Sequence, residues 1–233
     1  MLQLDHLSLR QTGFALDADW AVPKGSRLAV IGPSGAGKSS LLMAIAGFLA
    51  PVSGRIRWEG ADITNLPPAH RPVSILFQDQ NLFPHLTLAQ NLGLALSPRL
   101  KLAAGQRQRI EQVLDRLGLA GLVQRRPGDI SGGQQGRAAL GRALLQNKPV
   151  MLLDEPFAAL GPALKADLLA LVAEMAAEAA TTVLLVTHDP QDARRFADLT
   201  SVVADGIAAA PLPTLPLLDN PTPALAAYLG PSL

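Results

Sequence analysis

The chain has 233 residues, 48% of them hydrophobic and 17% charged, enough apolar material for one large folded unit and too little charge for disorder. A formal net charge of +1 removes the electrostatic case for nucleic acid binding, and the complete lack of cysteine removes disulfides, thiolate zinc sites and thiol nucleophiles. The start, Met1-Leu2-Gln3-Leu4-Asp5-His6, shows no basic segment leading into an apolar run, so no secretory signal is expected. The greasiest stretch, Leu164 to Val186, is broken by Lys165, Asp167, Glu174 and Glu178, which a spanning helix would bear poorly.

In chain order, Arg27-Leu28-Ala29-Val30-Ile31 reads as a buried strand running into a glycine-rich turn, and Ser39 to Leu49 as the helix that follows. Val73 to Phe77 is a second apolar strand. From about Asp79 the chain becomes leucine-rich. Arg109 to Leu119 has helical periodicity ending near Gly118, and the stretch to Arg126 reads as a helical insertion. Val150 to Leu153, Thr182 to Val186 and Ser201 to Val203 are further short apolar strands, suited to a sheet covered on both faces. Leu164, Leu168, Leu171, Val172 and Met175 recur at helical spacing between two of them. This alternation argues an α/β fold with a largely parallel sheet. From Pro211 six prolines exclude a long helix or central strand, although Pro223 to Leu229 suits a short helix with proline at its start.

Three motifs carry chemistry. Gly32-Pro33-Ser34-Gly35-Ala36-Gly37-Lys38-Ser39 fits G-x-x-x-x-G-K-S, placed between a strand and a helix as the motif requires. Glycines let backbone amides wrap a phosphate, the helix N-terminus faces the anion, Lys38 reaches the β- and γ-phosphates, and Ser39 offers a hydroxyl to magnesium. Kinases and GTPases share this loop, so alone it states only a nucleoside triphosphate. Second, the strand from Val150 ends in Asp154-Glu155: Asp154 is placed to hold magnesium opposite Ser39, and Glu155 to act as general base on a water in line with the γ-phosphate. Third, Ser131-Gly132-Gly133-Gln134 follows Ile130 and precedes a helix through Arg137, Ala138 and Leu140.

The order of these motifs resembles the ATP-binding cassette (ABC) ATPases, whose signature reads L-S-G-G-Q. The resemblance runs to about Gly206. It implies a P-loop NTPase (RecA-like) core with a mainly parallel sheet, an antiparallel β subdomain and an inserted helical subdomain. It divides the chain into an ATPase domain at 1–210, with 1–78 and 137–210 as α/β core and about 79–136 as the helical subdomain carrying the signature, and a Pro-rich tail at 211–233. It adds Ser40 to the nucleotide-binding loop and makes Ser131, Gly132, Gly133 and Gln134 complete the ATP site of an opposite subunit in a homodimer. Gln78 looks like the glutamine that senses magnesium and the attacking water, and His188 like the switch histidine on the γ-phosphate. ATP and Mg²⁺ are the implied cofactors.

The implied partners are integral membrane permease subunits and, indirectly, a periplasmic substrate-binding protein, with no nucleic acid. The implied location is the cytoplasmic side of a bacterial inner membrane, as a peripheral subunit. The run Asn91-Leu92-Gly93-Leu94 with Leu100-Lys101-Leu102, and Ala46-Gly47-Phe48-Leu49, resembles the importers of thiamine or a related vitamin derivative; iron(III), sulfate, molybdate and polyamine importers are alternatives. Phe83, Pro84, His85 and Leu86 form either an apolar rim for a short helix of the permease or the core of the insertion. Two departures from the family pattern stand out. Ala158-Ala159-Leu160-Gly161 has glycine where the family commonly has aspartate. The aromatic on which adenine stacks falls near Gln11, with Phe14 the nearest aromatic.

Overall fold

A computed structural model describes residues 1–79, 81–158 and 160–230. Eleven strands and eight α-helices follow in the order β1 (Leu2–Gln11), β2 (Phe14–Val22), β3 (Arg27–Ile31), α1 (Lys38–Ala46), β4 (Ser53–Trp58), β5 (Ala61–Asp62), β6 (Val73–Leu76), α2 (Leu88–Gly93), α3 (Ala104–Arg116), α4 (Gly132–Leu145), β7 (Val150–Asp154), α5 (Pro162–Glu178), β8 (Thr182–Val186), α6 (Pro190–Phe196), β9 (Leu199–Ala204), β10 (Ile207–Ala208), β11 (Leu212–Pro213), α7 (Thr214–Asp219) and α8 (Pro223–Leu229), among the described residues.

The strands lie in the order β5-β4-β1-β2-β10-β9-β3-β8-β7-β6, with β11 beside β9. The half β9-β3-β8-β7-β6 is parallel, in registers such as Leu28↔Leu199, Ala29↔Leu185 and Leu76↔Leu153. The half β5-β4-β1-β2 is antiparallel and joins the first through the short β10.

The continuous apolar runs have a simple cause. Successive side chains in a strand point to opposite faces. In β7, Val150 and Leu152 enter a core with α1 and the antiparallel strands, while Met151 and Leu153 enter a second core with α2 to α5. β8 divides in the same way, with Leu184 and Val186 to one side and Val183 and Leu185 to the other. Every position of these strands is buried, so no polar alternation is left to read.

The helix after the glycine-rich turn ends at Ala46, earlier than the Leu49 read from sequence, because Gly47 takes φ 88 and closes it in the left-handed conformation. A side chain at Gly47 would place Cβ 2.6 Å from Arg71 Nε. Arg71 is only 2% exposed, and its guanidinium donates to the Ala44 and Ile45 carbonyls at 2.7 and 2.8 Å, and to those of Leu66 and Thr64. A cation thus satisfies the orphan carbonyls of α1 and fixes the far end of the helix whose start faces the candidate site.

The proline-rich segment folds onto the sheet. α8 begins with Pro223 in its first turn, as the sequence predicts. The sequence gives no sign of α7, which carries Pro216 at its third residue, where the missing N–H has no intrahelical acceptor to lose. Leu217 and Leu225 are buried against Ala29, Ile31 and Val202. Pro231 lies outside the described residues. Leu225→Ala is expected to lower unfolding free energy by about 2–4 kcal/mol, measured by urea denaturation of the full chain. Unchanged stability would mean that α8 does not contribute to the core.

Candidate functional site

The parallel strands end on one edge of the sheet, and the chemistry-bearing residues gather there. β3 delivers the phosphate loop. Gly32 sits with φ 150 against β9, where a Cβ would lie 2.1 Å from the Val203 carbonyl oxygen. Gly35 and Gly37 have φ 77 and 102, and Gly37 caps α1. Pro33, Ser34 and Gly35 form the exposed crown of the loop, Ala36 and Ser40 are half-buried, and Lys38 is 6% exposed beneath it.

The Lys38 ammonium donates to the Gly32 and Pro33 carbonyls, each at 2.8 Å. Burial lowers its pKa, opposed by the nearby carboxylates of Glu155 and Asp154. Across from it Ser39 Oγ donates to Asp154 Oδ1 at 2.9 Å. Asp154 closes β7 at 8% exposure. Burial pushes its carboxyl above the usual carboxylate range; the Ser39 bond and Lys38 pull down, while Glu155 adds like-charge repulsion.

Glu155 follows in a backbone conformation that is uncommon for a residue with a side chain, φ 44, and its N–H donates to the Val186 carbonyl of β8 at 3.1 Å. The turn aims the carboxylate at the end of β8, where Glu155 Oε2 lies 3.0 Å from His188 Nδ1. The sequence order leaves these residues far apart; parallel pairing of β3, β8 and β7 brings Lys38, Ser39, Asp154, Glu155 and His188 together.

Gln78 lies just past β6, which pairs Leu76 with Leu153 of β7, and it is exposed; no hydrogen bond joins it to Ser39 or Asp154 among the described residues. Ser131 and Gln134 sit elsewhere, at the start of α4, in a reciprocal cap: Ser131 Oγ accepts from the Gln134 N–H and Gln134 Oε1 accepts from the Ser131 N–H. Ser131 and Gly132 are exposed. No hydrogen bond or ion pair links Ser131, Gly132, Gly133 or Gln134 to Lys38, Asp154 or Glu155 among the described residues. A Cβ on Gly133 would lie 3.1 Å from Leu160 Cδ2, so the signature helix leans on the segment after β7. Gly161 is the cap of α5 and provides no side-chain bond, and Ala159 lies outside the described residues.

Phe14 is half-buried, and its ring atoms stand 2.4 Å from where a Gly37 Cβ would be. Its edge therefore seals the flank of the phosphate loop, while Gln11 is exposed. Sequence reasoning also missed a buried ion pair behind the site. Lys165 of α5 lies 2.5 Å from Asp192 and 3.5 Å from Asp189, and Thr187 Oγ1 donates to Asp192.

The residues fit a triphosphate with a hard divalent cation. No cluster of three or more His, Cys, Asp or Glu able to hold a metal exists among the described residues. The chain offers two oxygens, Ser39 Oγ and Asp154 Oδ1, side by side. Magnesium commonly takes one or two protein oxygens and completes its octahedron with phosphate and water.

Comparisons with known proteins agree. The ABC transporter family model matches residues 16–158. The thiamine import ATP-binding protein ThiQ of Cereibacter sphaeroides is 66% identical over 231 residues, covering 99% of this chain and 100% of that protein. The protein of the same name from Ruegeria sp. is 53% identical over 99% of this chain and 100% of its own length. A solved nucleotide-free ATP-binding cassette from an ABC transporter superposes with TM-score 0.86 at 28% identity, covering 100% of this chain and 99% of its own. A dimeric ATP-binding cassette in a post-hydrolysis state, bound to ADP and Pi, gives TM-score 0.81 at 27% identity over 92% of this chain and 99% of its own.

The raised Asp154 pKa sets an expectation for stability. A carboxyl whose folded pKa exceeds its unfolded value costs stability while charged, and the cost fades as pH falls through the raised value. Asp154→Asn keeps an acceptor for Ser39 and removes the charge. It is expected to raise Tm of the nucleotide-free protein at pH 7, with a gain that shrinks as pH is lowered. A lower Tm at pH 7 would contradict the electrostatic reading.

Proposed function

The chain belongs to the ABC transporter family of ATP-binding proteins, and we propose that it hydrolyses ATP between two copies of itself to drive the import of thiamine. The observation that carries the hydrolytic reading is the convergence of Lys38, Ser39, Asp154, Glu155 and His188 on one sheet edge. The 66% identity to the Cereibacter sphaeroides protein over nearly the whole chain supports thiamine as the cargo.

Each residue then has a task. Lys38 exchanges its carbonyl partners for β- and γ-phosphate oxygens. The exchange is favourable because a half-satisfied buried ammonium gains full negative charge. Backbone N–H groups of residues 34 to 39 and the N-terminus of α1 face the same phosphates. Ser39 and Asp154 would hold Mg²⁺, which would supply positive charge against the phosphates. Gln78, exposed just past β6, would add a further oxygen to the same cation. Glu155 accepts the proton of the attacking water, and His188 holds its carboxylate in place.

A single chain lacks one wall of this site. Ser131 Oγ accepts from Gln134, so its own proton remains available to a phosphate oxygen. Exposed with the N-terminal amides of the fourteen-residue α4, it closes the nucleotide of a second copy. Dimers occur among the structural neighbours.

No helix among the described residues is long and apolar enough to cross a membrane, so the transport path belongs to permease subunits. Their docking surface is the groove formed by Ile75, Phe77, Phe83, Leu94, Ala95 and Arg142. Phe83 is 45% exposed, which supports the rim over the core reading, and Arg142 lies over its ring at 5.9 Å. Asn91, fully buried, braces the loop: its Oδ1 accepts from the Phe83 N–H and its Nδ2 donates to the Phe83, Leu86 and Thr87 carbonyls. The placement is peripheral, on the cytoplasmic side of the inner membrane, with a periplasmic binding protein delivering the cargo.

Glu155→Gln is expected to slow ATP hydrolysis about 10²–10⁴-fold while ATP binding persists. Size-exclusion chromatography with ATP and magnesium should then show a dimer that ADP does not support. Turnover at the parent rate would overturn the base assignment. Phe83→Ala is expected to abolish thiamine uptake by the assembled transporter while the isolated subunit keeps its basal ATPase activity, and intact uptake would remove Phe83 from the docking surface.

A further inference from the structure

The loop that carries His188 is held on three sides. Its Thr187 N–H donates to the Val30 carbonyl at 3.3 Å, and Thr187 Oγ1 donates to Asp192 Oδ2 and accepts from the Asp189 N–H at 3.1 Å. Asp189 Oδ1 caps α6 by accepting from the Gln191 N–H, and its other oxygen faces Lys165. These contacts hold the N–H side of the 188–189 peptide, through Asp189, and leave its other side, the His188 carbonyl, to be set by something else.

That contact comes from the far end of the chain. Tyr228, the one tyrosine of the sequence, donates its hydroxyl to the His188 carbonyl at 2.6 Å. It is the one side-chain hydrogen bond to that carbonyl among the described residues. The reach is well supported. Leu225, three residues earlier on the same face of α8, is 0% exposed and packs with Ala29 and Ile31 of β3. β3 is also the strand that delivers the phosphate loop. Burial, with the Glu155 and Asp189 carboxylates nearby, pushes the Tyr228 phenol above its usual pKa and keeps it a donor.

We propose that Tyr228 is a positioning residue for ATP hydrolysis, its hydroxyl fixing the His188 backbone so that the imidazole meets Glu155. This rests on the reading of Glu155 and His188 as the hydrolytic centre. Rotation of the 188–189 peptide swings the His188 Cα–Cβ bond and carries Nδ1 away from Glu155 Oε2, now 3.0 Å distant. Displacements of about 1 Å in such a constellation are costly to rate and leave nucleotide binding largely untouched. The proline-rich segment thereby becomes part of the catalytic apparatus, linking the position of α8 to the rate of hydrolysis.

The test is steady-state ATPase kinetics on the full-length chain. Tyr228→Phe keeps the ring and removes only the hydroxyl. It should lower kcat about fivefold, the rate equivalent of one neutral hydrogen bond, with KM for ATP within about twofold of the parent. Tyr228→Ala should lose a similar factor, and thermal unfolding reports whether each variant is folded. In a His188→Ala background, Tyr228→Phe should cost nothing further, because the group it positions is gone. A parent kcat in Tyr228→Phe, a loss confined to Tyr228→Ala, or an equal loss in the His188→Ala background would each overturn the proposal. Glu155→Gln and His188→Ala in the same assay separate the two levels. If both are impaired while Tyr228→Phe is not, only the positioning role fails. If both retain parent turnover, the hydrolytic centre itself is wrong and the proposal falls with it.

Discussion

A buried ammonium held by two neutral carbonyls organises this molecule. Lys38 is enclosed by the loop it serves, bonded to Gly32 and Pro33 rather than to a carboxylate. An ammonium desolvated in this way favours any ligand that brings negative charge. Its surroundings follow from that demand. Gly32 must come so close to β9 that no side chain fits, and Arg71 must hold the far end of α1 so that its near end stays aimed. Asp154 and Glu155 crowd the same edge, where burial disfavours the charge of Asp154. The site thus gathers desolvated charges of both signs, and a magnesium–triphosphate answers both.

Such a site is costly to the fold that carries it, and the sheet explains how it is tolerated. β3, β7 and β8 are buried on both faces: one core grips alternate residues of all three, and the other residues pack into a second core in β7 and β8 and against the C-terminal helices in β3. The strand ends are therefore rigid even where Glu155 adopts a left-handed backbone conformation. The signature serine stands apart from this cluster, on a helix that leans on Leu160 just past the acidic strand end. Gly161 in that segment caps α5 and offers no carboxylate.

Much of this is legible in sequence because the demands are local. The glycines, Lys38 and Ser39 are fixed by the curvature of a loop round phosphate, and Asp154-Glu155 by the end of a strand with no polar position. Pro223 marks α8 because proline suits a first helical turn. What escapes is set by distant contacts. The carbonyls at the end of the helix after the loop are satisfied by Arg71, whose burial nothing in Arg71-Pro72 announces. Phe14 is the nearest aromatic to the base by spacing, yet its ring edge lies on Gly37. Pro216 argues against a helix unless its first-turn position is known. Tyr228 carries no signal at all, since its partner is a main-chain carbonyl forty residues earlier.

The central claim is that one ATP is enclosed by the phosphate loop of one chain and the signature helix of another. The absence of cysteine makes that directly measurable. Ser34→Cys in one population and Gly132→Cys in a second, both also carrying Glu155→Gln, place one thiol on the exposed crown of the loop and one on the exposed start of α4. Mixed and treated with a short bis-maleimide, they should form a cross-linked heterodimer with ATP and magnesium and none with ADP. A cross-link equally abundant without nucleotide, or no cross-link with ATP, would contradict the shared site.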